Sequence, residues 1–395
     1  MACPPHYSFV SLNSTPSPSG QGINSPCLPS CPLEYYSKYQ YSVFNWTHFT
    51  FSLLSIPLTL FAIICYIFIP ERRKWPGILL IGIFIAVVFV GIGGILPVIV
   101  YGKDDWIKLS CNTNVSFSGR KDGLCVFSFI LNYGAAMFGA SMWCCLALNL
   151  CVTYFKVKIS HKIFGICSYG YCFLTSLTGI ITALSGNAVI GQPPNAGCFL
   201  DPSKSEGWYY DGLWTVPLSV MFVVGSAAVL SVCGNLGVKS YKITEISWSA
   251  RPLIQFLGYN KRILAFLGVY WYAVLMLNSY RFYLLSQGDR FENSVILWYG
   301  CLYQTWGSYI MNGTLINEAN IMAITICGKP EVPGFVGLVF VSLSVAIAAT
   351  AFPLVFISDM NLLRWAYYKI QGKEDPNSVY IKSRSTPIAS AVSRL

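Results

Sequence analysis

The cysteines are the residues whose type and position predict covalent chemistry in this chain. Eight of the fifteen lie in polar segments or at the edges of apolar ones: Cys3, Cys27, Cys31, Cys111, Cys125, Cys198, Cys301 and Cys327. An even set outside the cytosol is typical of a disulfide framework, although eight thiols permit about a hundred pairings. The other seven lie inside apolar stretches without a histidine nearby, and we interpret them as packing residues. The sequence therefore predicts disulfides, with no metal site and no cofactor.

The composition indicates the kind of fold that positions these cysteines. The 395 residues are 54% hydrophobic and 11% charged, with a net charge of +10 and a mean hydropathy of +0.55. Soluble proteins carry roughly 25% charged residues, which cover their surface. This chain has less than half of that share, which disfavours a soluble enzyme and a nucleic-acid-binding protein. A basic excess on a membrane protein is typical of cytoplasmic loops that face anionic lipid.

Apolar stretches long enough to cross a bilayer are the main elements of the chain. A helix needs about 20 apolar residues to cross the hydrocarbon core. Seven stretches qualify: 47–69, 76–101, 124–152, 163–190, 212–236, 263–285 and 333–357. An eighth candidate, 294–311, is rich in Trp, Tyr, Ser and Gly, which favours an interfacial or packed extracellular segment over a span. We therefore predict an all-α membrane protein with a bundle of seven transmembrane helices.

Charge and glycosylation motifs predict the orientation of this bundle. With the N-terminus outside, the inner segments contain 17 Lys and Arg and the outer segments contain 8, which agrees with the positive-inside rule. The N-x-S/T motifs all fall on the outer side and are the candidate glycosylation sites: Asn13, Asn45, Asn114 and Asn312. We predict an extracellular N-terminus, a cytoplasmic C-terminus and residence in the plasma membrane.

The first 46 residues form a predicted extracellular linker ahead of the seven-span bundle at 47–357. No signal peptide is visible in them, so we expect either that the first span acts as a signal anchor or that the sequence starts downstream of the true beginning. After the bundle we predict a short amphipathic eighth helix at 358–371 and a disordered cytoplasmic tail at 372–395.

Several motifs in the bundle resemble the Frizzled/Smoothened receptors. The third span opens with Arg120-Lys-Asp-Gly-Leu-Cys125 and has Trp143 in its middle. Gly197-Cys198-Phe199 resembles the family's second outer loop, and Arg72-Arg-Lys-Trp-Pro76 its first inner loop. In the sixth span, Arg262-Ile-Leu-Ala-Phe266 and Tyr280-Arg-Phe-Tyr283 follow the family spacing. The resemblance covers roughly residues 1–370.

The resemblance implies a pairing for every outer cysteine. Carried over from the family, the pairs are Cys3–Cys27, Cys31–Cys111, Cys125–Cys198 and Cys301–Cys327. The third pair attaches the second outer loop to the bundle, as in many seven-helix receptors. The fourth closes the long segment after the sixth span on itself.

The resemblance also implies a receptor, for which we expect an extracellular or lipid ligand and a heterotrimeric G protein as cytoplasmic partner. Two features differ from the family. No cysteine-rich ligand-binding domain stands in the residues before the first span, which disfavours recognition of a Wnt-type protein through such a domain. The Lys-Thr-x-x-x-Trp motif that docks Dishevelled reads Met360-Asn361-x-x-x-Trp365 here, which disfavours that partner.

Two sets of residues are candidates for signalling roles. The family switch pairs a basic residue low on the sixth helix with a Trp on the seventh. Arg262 fits the first role, and Ile357 aligns with the second, so either Trp365 replaces the aromatic partner or Arg262 reaches lipid phosphate. The cytoplasmic coupling candidates are Arg262, Trp365, Lys261, Lys239 and Lys242. The candidates for a pocket that binds a sterol or another apolar ligand are Tyr270, Tyr272 and Tyr280.

Other classes of membrane protein remain as alternatives. The third span ends Val152-Thr-Tyr-Phe-Lys156 without an Asp-Arg-Tyr triplet, which argues against the rhodopsin-like receptors but not against cyclic-AMP-receptor-like ones. Ion-coupled transporters usually have a titratable side chain at mid-membrane, and these spans have none there, so a facilitator is the remaining transport alternative. No HExxH, P-loop or G-x-S-x-G motif is present, and we predict no enzymatic activity.

Overall fold

The computed structural model is mostly helical, and it defines the parts of the chain that can be described. They are residues 7–9, 27–29, 37–69, 76–102, 111–113, 116–117, 119–191, 197–201, 205, 207–242, 251–312, 315–331 and 334–357. The predicted eighth helix at 358–371 and the tail at 372–395 lie outside these residues, as does most of the linker at 1–46.

Eight long or medium helices account for most of the described residues. They are α1 (Lys38–Phe68), α2 (Gly77–Tyr101), α3 (Gly123–Tyr154), α4 (His161–Ser185), α5 (208–242), α6 (Arg251–Met311), α7 (Ile316–Cys327) and α8 (Phe335–Ile357). Helix α1 starts nine residues before the predicted first span. Ser37 fixes this start through a capping box, in which its hydroxyl accepts from the Gln40 N–H and the Gln40 side chain accepts from the Ser37 N–H.

Six of these helices are long and apolar enough to cross a membrane, among the residues that the structure describes. They are α1, α2, α3, α4, α5 and α8. Helix α6 contains the predicted sixth span at 263–285 and also the segment 294–311, in one uninterrupted helix of 61 residues. At 1.5 Å per residue this helix is about 90 Å long, which is far longer than a bilayer core of about 30 Å.

The described residues contain three two-stranded sheets. They pair β1 (Tyr7–Phe9) with β2 (Cys27–Pro29), β3 (Cys111–Thr113) with β4 (Ser116–Phe117), and β5 (Val189–Gly191) with β6 (Cys198–Leu200), all antiparallel. The β5–β6 hairpin follows α4 and lies over the start of α3, where Gly119 forms a bridge to Ile190.

Helix α3 is the central helix of the bundle. It packs against α2, α4 and α5, and most of its second half is buried. Trp143 lies at its middle with no exposed surface, between the face of Tyr270 on α6 and the backbone of α5 at Gly225. A Cβ atom at Gly225 would lie 2.3 Å from Cζ3 of Trp143, so only glycine permits this approach.

Glycines also allow α1 and α2 to pack closely. A Cβ at Gly91 would lie 2.8 Å from Cγ1 of Ile56, and one at Gly94 would lie 2.3 Å from Oγ of Ser52. Small residues at such positions bring helix backbones together inside a membrane, where van der Waals packing replaces the hydrophobic effect as the main driving force.

The Gly225 contact predicts the outcome of a substitution. Gly225→Ala should lower the free energy of unfolding by about 1–3 kcal/mol, because the methyl group overlaps the buried indole of Trp143. Gly234→Ala on the same helix is the matched control, since nothing lies within 4 Å of its Cβ position. Detergent-induced unfolding in mixed micelles, followed by circular dichroism, measures both. Equal stability of the two variants would contradict the packing of Trp143 against α5.

Candidate functional site

A partly buried ion pair joins the start of α5 to the middle of α6. Arg281 donates from Nε to Oδ1 of Asp211 at 3.1 Å and from Nη2 to Oδ2 at 2.9 Å. The two side chains are 17% and 34% exposed, respectively. This two-bond geometry is the strongest that arginine forms with a carboxylate, and each charge offsets the cost of removing the other from water.

Further groups hold this pair in place. The hydroxyl of Thr215 donates to Oδ1 of Asp211 at 3.0 Å. The guanidinium carbon of Arg281 lies 4.7 Å from the ring centroid of Tyr210, within the range of a cation–π interaction. The ion pair and the ring therefore fix the position of α6 relative to α5 at this level.

Two π-helical turns meet beside the ion pair. One is Ile130–Gly134 in α3, and the other is Asp211–Thr215 in α5. The hydroxyl of Tyr133, in the first turn, donates to the carbonyl oxygen of Leu213, in the second, at 2.9 Å. A π-turn changes the hydrogen bonding of its backbone and recurs at functional sites. Here each turn contributes one partner of a hydrogen bond that connects α3 to α5.

An aromatic cluster connects the β5–β6 hairpin to these turns. Phe199 of β6 packs edge-to-face on Trp214 at 5.0 Å and contacts Tyr133 at 6.0 Å. Tyr133 in turn stacks on Phe129 at 5.0 Å. Aromatic pairs in these geometries add about 0.5–1.5 kcal/mol each beyond their buried area. A displacement of the hairpin therefore alters its ring contacts with α3 and α5 directly.

A second aromatic contact lies deeper in the bundle. The rings of Trp143 on α3 and Tyr270 on α6 stack with centroids 4.1 Å apart and planes 21° apart. Nε1 of Trp143 and the hydroxyl of Tyr270 are buried, and neither has a hydrogen-bond partner among the described residues. Unpaired buried polar groups cost free energy, so this contact relies on stacking and is sensitive to a small movement of α6.

The three predicted pocket tyrosines face two different neighbours. Tyr270 is buried against Trp143. The hydroxyl of Tyr272 shares a hydrogen bond of 2.9 Å with the hydroxyl of Ser344 on α8, and Tyr280 lies beside Gly337 of the same helix. The structure thus separates Tyr270 from the other two, which line the contact between α6 and α8.

The predicted cytoplasmic coupling residues fall at the limits of the described chain. Lys239 and Lys242 lie near the end of α5, and Lys261 and Arg262 lie near the start of α6; their side chains are outside the described part of the structure, as is all of Trp365. Their roles, including the switch at Arg262, stay predictions.

Among the described residues, no group of three or more His, Cys, Asp and Glu is placed to hold a metal ion.

The structure contains two of the disulfides that the family resemblance implied. Asp122 caps α3 by accepting from the N–H groups of Leu124 and Cys125, which places Cys125 in the first turn, where it is bonded to Cys198 of β6. Cys301 of α6 is bonded to Cys327 at the end of α7. Cys111 is also disulfide-bonded. Cys3, Cys31 and the side chain of Cys27 lie outside the described residues.

Asn45, one of the predicted glycosylation sites, is buried. It lies inside α1, is 5% exposed, and its amide nitrogen donates to the carbonyl oxygen of Tyr41 at 2.7 Å. Its glycosylation stays a prediction. Asn312 is exposed at the turn after α6, whereas Asn13 and Asn114 lie outside the described residues.

The Asp211–Arg281 pair was missed by reasoning from the sequence. Arg281 interrupts the sixth apolar stretch, and Asp211 directly precedes the fifth. A charge of each sign at the same end of neighbouring spans is a signal that could have suggested the pair, because isolated charges at such positions are costly.

Comparison with known proteins identifies the family. The sequence model of the Frizzled/Smoothened family membrane region matches residues 35–357. The chain belongs to the Frizzled/Smoothened family. It is also 23% identical over 249 residues to "Frizzled and smoothened-like protein J" of Dictyostelium discoideum, an alignment that covers 60% of this chain and 39% of that relative. This Frizzled/Smoothened-family chain thus spans about two fifths of the length of that curated relative.

Membership of this family makes the chain a receptor-like membrane protein. The matched region includes both aromatic contacts and the ion pair, so these lie in the part of the chain that defines the family. The long α6 and the helix α7 that returns along it also lie within the match.

The ion pair predicts a measurable coupling. In a double-mutant cycle with Asp211→Asn and Arg281→Gln, we expect about 1–2 kcal/mol of coupling in the free energy of unfolding, because each single change leaves the other charge in a poorly hydrated place. Detergent-induced unfolding of the four proteins measures it. The cycle between Arg290 and Glu331, which are 65% and 56% exposed, is the control and should show a smaller coupling. No difference between the two cycles would contradict a stabilising role for the Asp211–Arg281 pair.

Proposed function

We propose that this Frizzled/Smoothened-family chain is a seven-helix receptor of the plasma membrane with an extracellular N-terminus. It receives an extracellular or lipid signal and passes it, by rearrangement of its helices, to a cytoplasmic heterotrimeric G protein. The observation that carries the proposal is a continuous series of contacts from the β5–β6 hairpin through Tyr133 and the Asp211–Arg281 pair to the helix α6, which also holds Tyr270 against Trp143.

The middle part of α6 is the sixth of seven spans in this proposal. It packs against α5 on one side and α8 on the other, and its one charged residue between 263 and 285, Arg281, is paired with Asp211. A paired charge near the end of a span is tolerated far better than an isolated one. The part of α6 that follows residue 285, with α7, then lies on the outer side.

The mechanism that we propose uses two arrangements of α6. In the resting arrangement Tyr270 stacks on Trp143, and Arg281 is held by Asp211. A ligand that binds the other arrangement more tightly shifts the population toward it. Because the stack has no hydrogen bond to secure it, its loss costs little, and the inner end of α6 can move away from α3 and expose the basic inner ends of α5 and α6 to the partner.

The ligand that fits best is an apolar membrane lipid of sterol type. Tyr272 is 40% exposed, and it shares its hydrogen bond with Ser344 at the contact between α6 and α8. An aromatic surface with a hydroxyl pair suits a molecule that is apolar except for one hydroxyl group. A ligand at this contact would act directly on α6.

Nucleotide exchange tests the receptor function. The purified chain, reconstituted in nanodiscs, is mixed with each class of heterotrimeric G protein, and binding of a GTP analogue is followed. We expect Tyr270→Ala to raise the basal rate about two- to tenfold, since a lost aromatic stack of about 0.5–1.5 kcal/mol changes the population of the resting state by that factor.

Two variants show whether the stack is responsible. Tyr270→Phe keeps the ring and removes only an unpaired hydroxyl, so its rate should stay close to that of the unchanged chain. Leu275→Ala, on an exposed face of the same helix, should have no effect. If no G protein responds to any variant while liposomes containing the chain pass small solutes, the chain is a facilitator instead.

Glycan mapping tests the orientation. In eukaryotic cells, Asn312→Gln should remove one glycan, seen as a mobility shift that glycosidase treatment abolishes, because Asn312 is exposed on the side proposed to be extracellular. Asn45→Gln should leave the pattern unchanged, because Asn45 is buried in α1. An unchanged pattern for Asn312→Gln would contradict the orientation, and a glycan lost with Asn45→Gln would contradict the position of Asn45.

A further inference from the structure

The outer part of α6 and the antiparallel α7 form a helical hairpin with a small core of its own. Its buried residues are Trp298, Tyr299, Leu302 and Ala323. Nε1 of Trp298 donates to the carbonyl oxygen of Gly328 at 2.9 Å, and the Cys301–Cys327 disulfide links the two helices covalently. The link is thus supported by packing and does not by itself hold the hairpin together.

The disulfides of this chain differ in their access to solvent. Cys125 and Cys198 are 0% and 1% exposed and belong to the main core. Cys301 and Cys327 are partly exposed, and both line an open cavity of about 490 Å³ on the hairpin. Thiol–disulfide exchange requires a thiolate to approach a sulfur atom along the S–S axis, so access decides which bond reacts.

A hydroxyl group lies beside both sulfur atoms of the accessible bond. Oγ1 of Thr305 is 3.8 Å from Sγ of Cys301 and 3.6 Å from Sγ of Cys327. It can donate to whichever sulfur becomes a thiolate when the bond breaks. Hydrogen bonds to an ionised acceptor are about twice as strong as neutral ones, so this hydroxyl favours the departing thiolate over the intact disulfide.

The charges around the cavity favour binding of an anionic ligand. Three charged side chains line it, namely Arg290, Lys329 and Glu331. Arg290 donates from Nη2 to Oε1 of Glu331 at 3.1 Å and also contacts Oε2, and these hydrogen bonds hold the pKa of Glu331 below its usual value. The two charges therefore offset each other at neutral pH. Lys329, exposed and two residues after Cys327, leaves the lining with a net positive charge.

We propose that the cavity is a site of thiol–disulfide exchange between Cys301–Cys327 and a small thiol that carries carboxylates, of about the size of a tripeptide. The incoming thiolate forms a bond to one cysteine sulfur, and the electron pair of the broken S–S bond leaves on the other, beside Thr305. A second small thiol attacks the mixed disulfide and releases the second cysteine. In balance, two small thiols are oxidised to one disulfide, and their two protons pass to Cys301 and Cys327.

The site goes beyond the proposed receptor function, since its chemistry depends only on the hairpin. Its exposure to extracellular thiols rests on the proposed orientation. The Cys301–Cys327 bond links α7 to the outer part of α6, so its cleavage loosens the hairpin without unfolding the bundle. The ion pair between Arg281 of α6 and Asp211 is not affected by this cleavage.

The test uses the full chain in nanodiscs with reduced glutathione as the probe. Free thiols are first blocked with N-ethylmaleimide, glutathione is added for increasing times, and newly formed thiols and mixed disulfides are assigned by peptide mass spectrometry. We expect Cys301 and Cys327 to react at least about tenfold faster than Cys125 and Cys198, because a thiolate reaches only the exposed bond. Equal rates, or faster reaction of the buried pair, would overturn the proposal.

Two variants separate recognition from simple exposure. Lys329→Gln should slow the reaction with glutathione about two- to fivefold, the size of one lost charge contact near a surface, and leave the reaction with neutral 2-mercaptoethanol unchanged. Thr305→Val should slow both reactions. Lys158→Gln, exposed and distant from both disulfides, is the control. If Lys329→Gln affects both thiols equally or neither, the cavity does not select an anionic thiol and the proposed site is wrong.

Discussion

The end of the bundle beside the β5–β6 hairpin depends on the pairing of Asp211 with Arg281. A charge at the end of a membrane span is stable only when it keeps its contact with water or when an oppositely charged partner replaces that water. Here the partner lies on the neighbouring helix, so the two charges define which part of α6 lies against α5. The ring of Tyr210 and the hydroxyl of Thr215 complete the arrangement.

Helix α3 connects this end to the middle of the bundle. Beside the ion pair, its π-turn directs the hydroxyl of Tyr133 to the carbonyl of Leu213. About three turns further along, Trp143 fills the space between Gly225 and Tyr270. The first contact is a hydrogen bond with both partners satisfied, and the second is a stack with unpaired polar atoms. The bundle therefore combines a well-secured level at the ion pair with a more easily altered level at Trp143.

The sequence was a good guide to the spans and a poorer guide to their ends. The apolar runs of α2 and α3 nearly coincide with the helices, since burial of apolar surface in lipid follows composition directly. The start of α1 and the outer part of α6 were not predicted. Ser37 extends α1 through its cap, and the segment 294–311 continues α6 because α7 packs along it, a contact that composition does not reveal.

The sequence alone therefore determined the class of the protein, the approximate position of most helices and the family to which it belongs, because these follow from hydropathy, charge and short motifs. Only the tertiary structure decided which side chains meet. Arg281 and Asp211 are 70 residues apart in the chain, and the other contacts of the site that join two helices also link residues far apart in sequence, such as Tyr133 and Leu213, which are 80 residues apart. Such pairs depend on the rotation and register of each helix, which packing against neighbours sets and which no local pattern encodes.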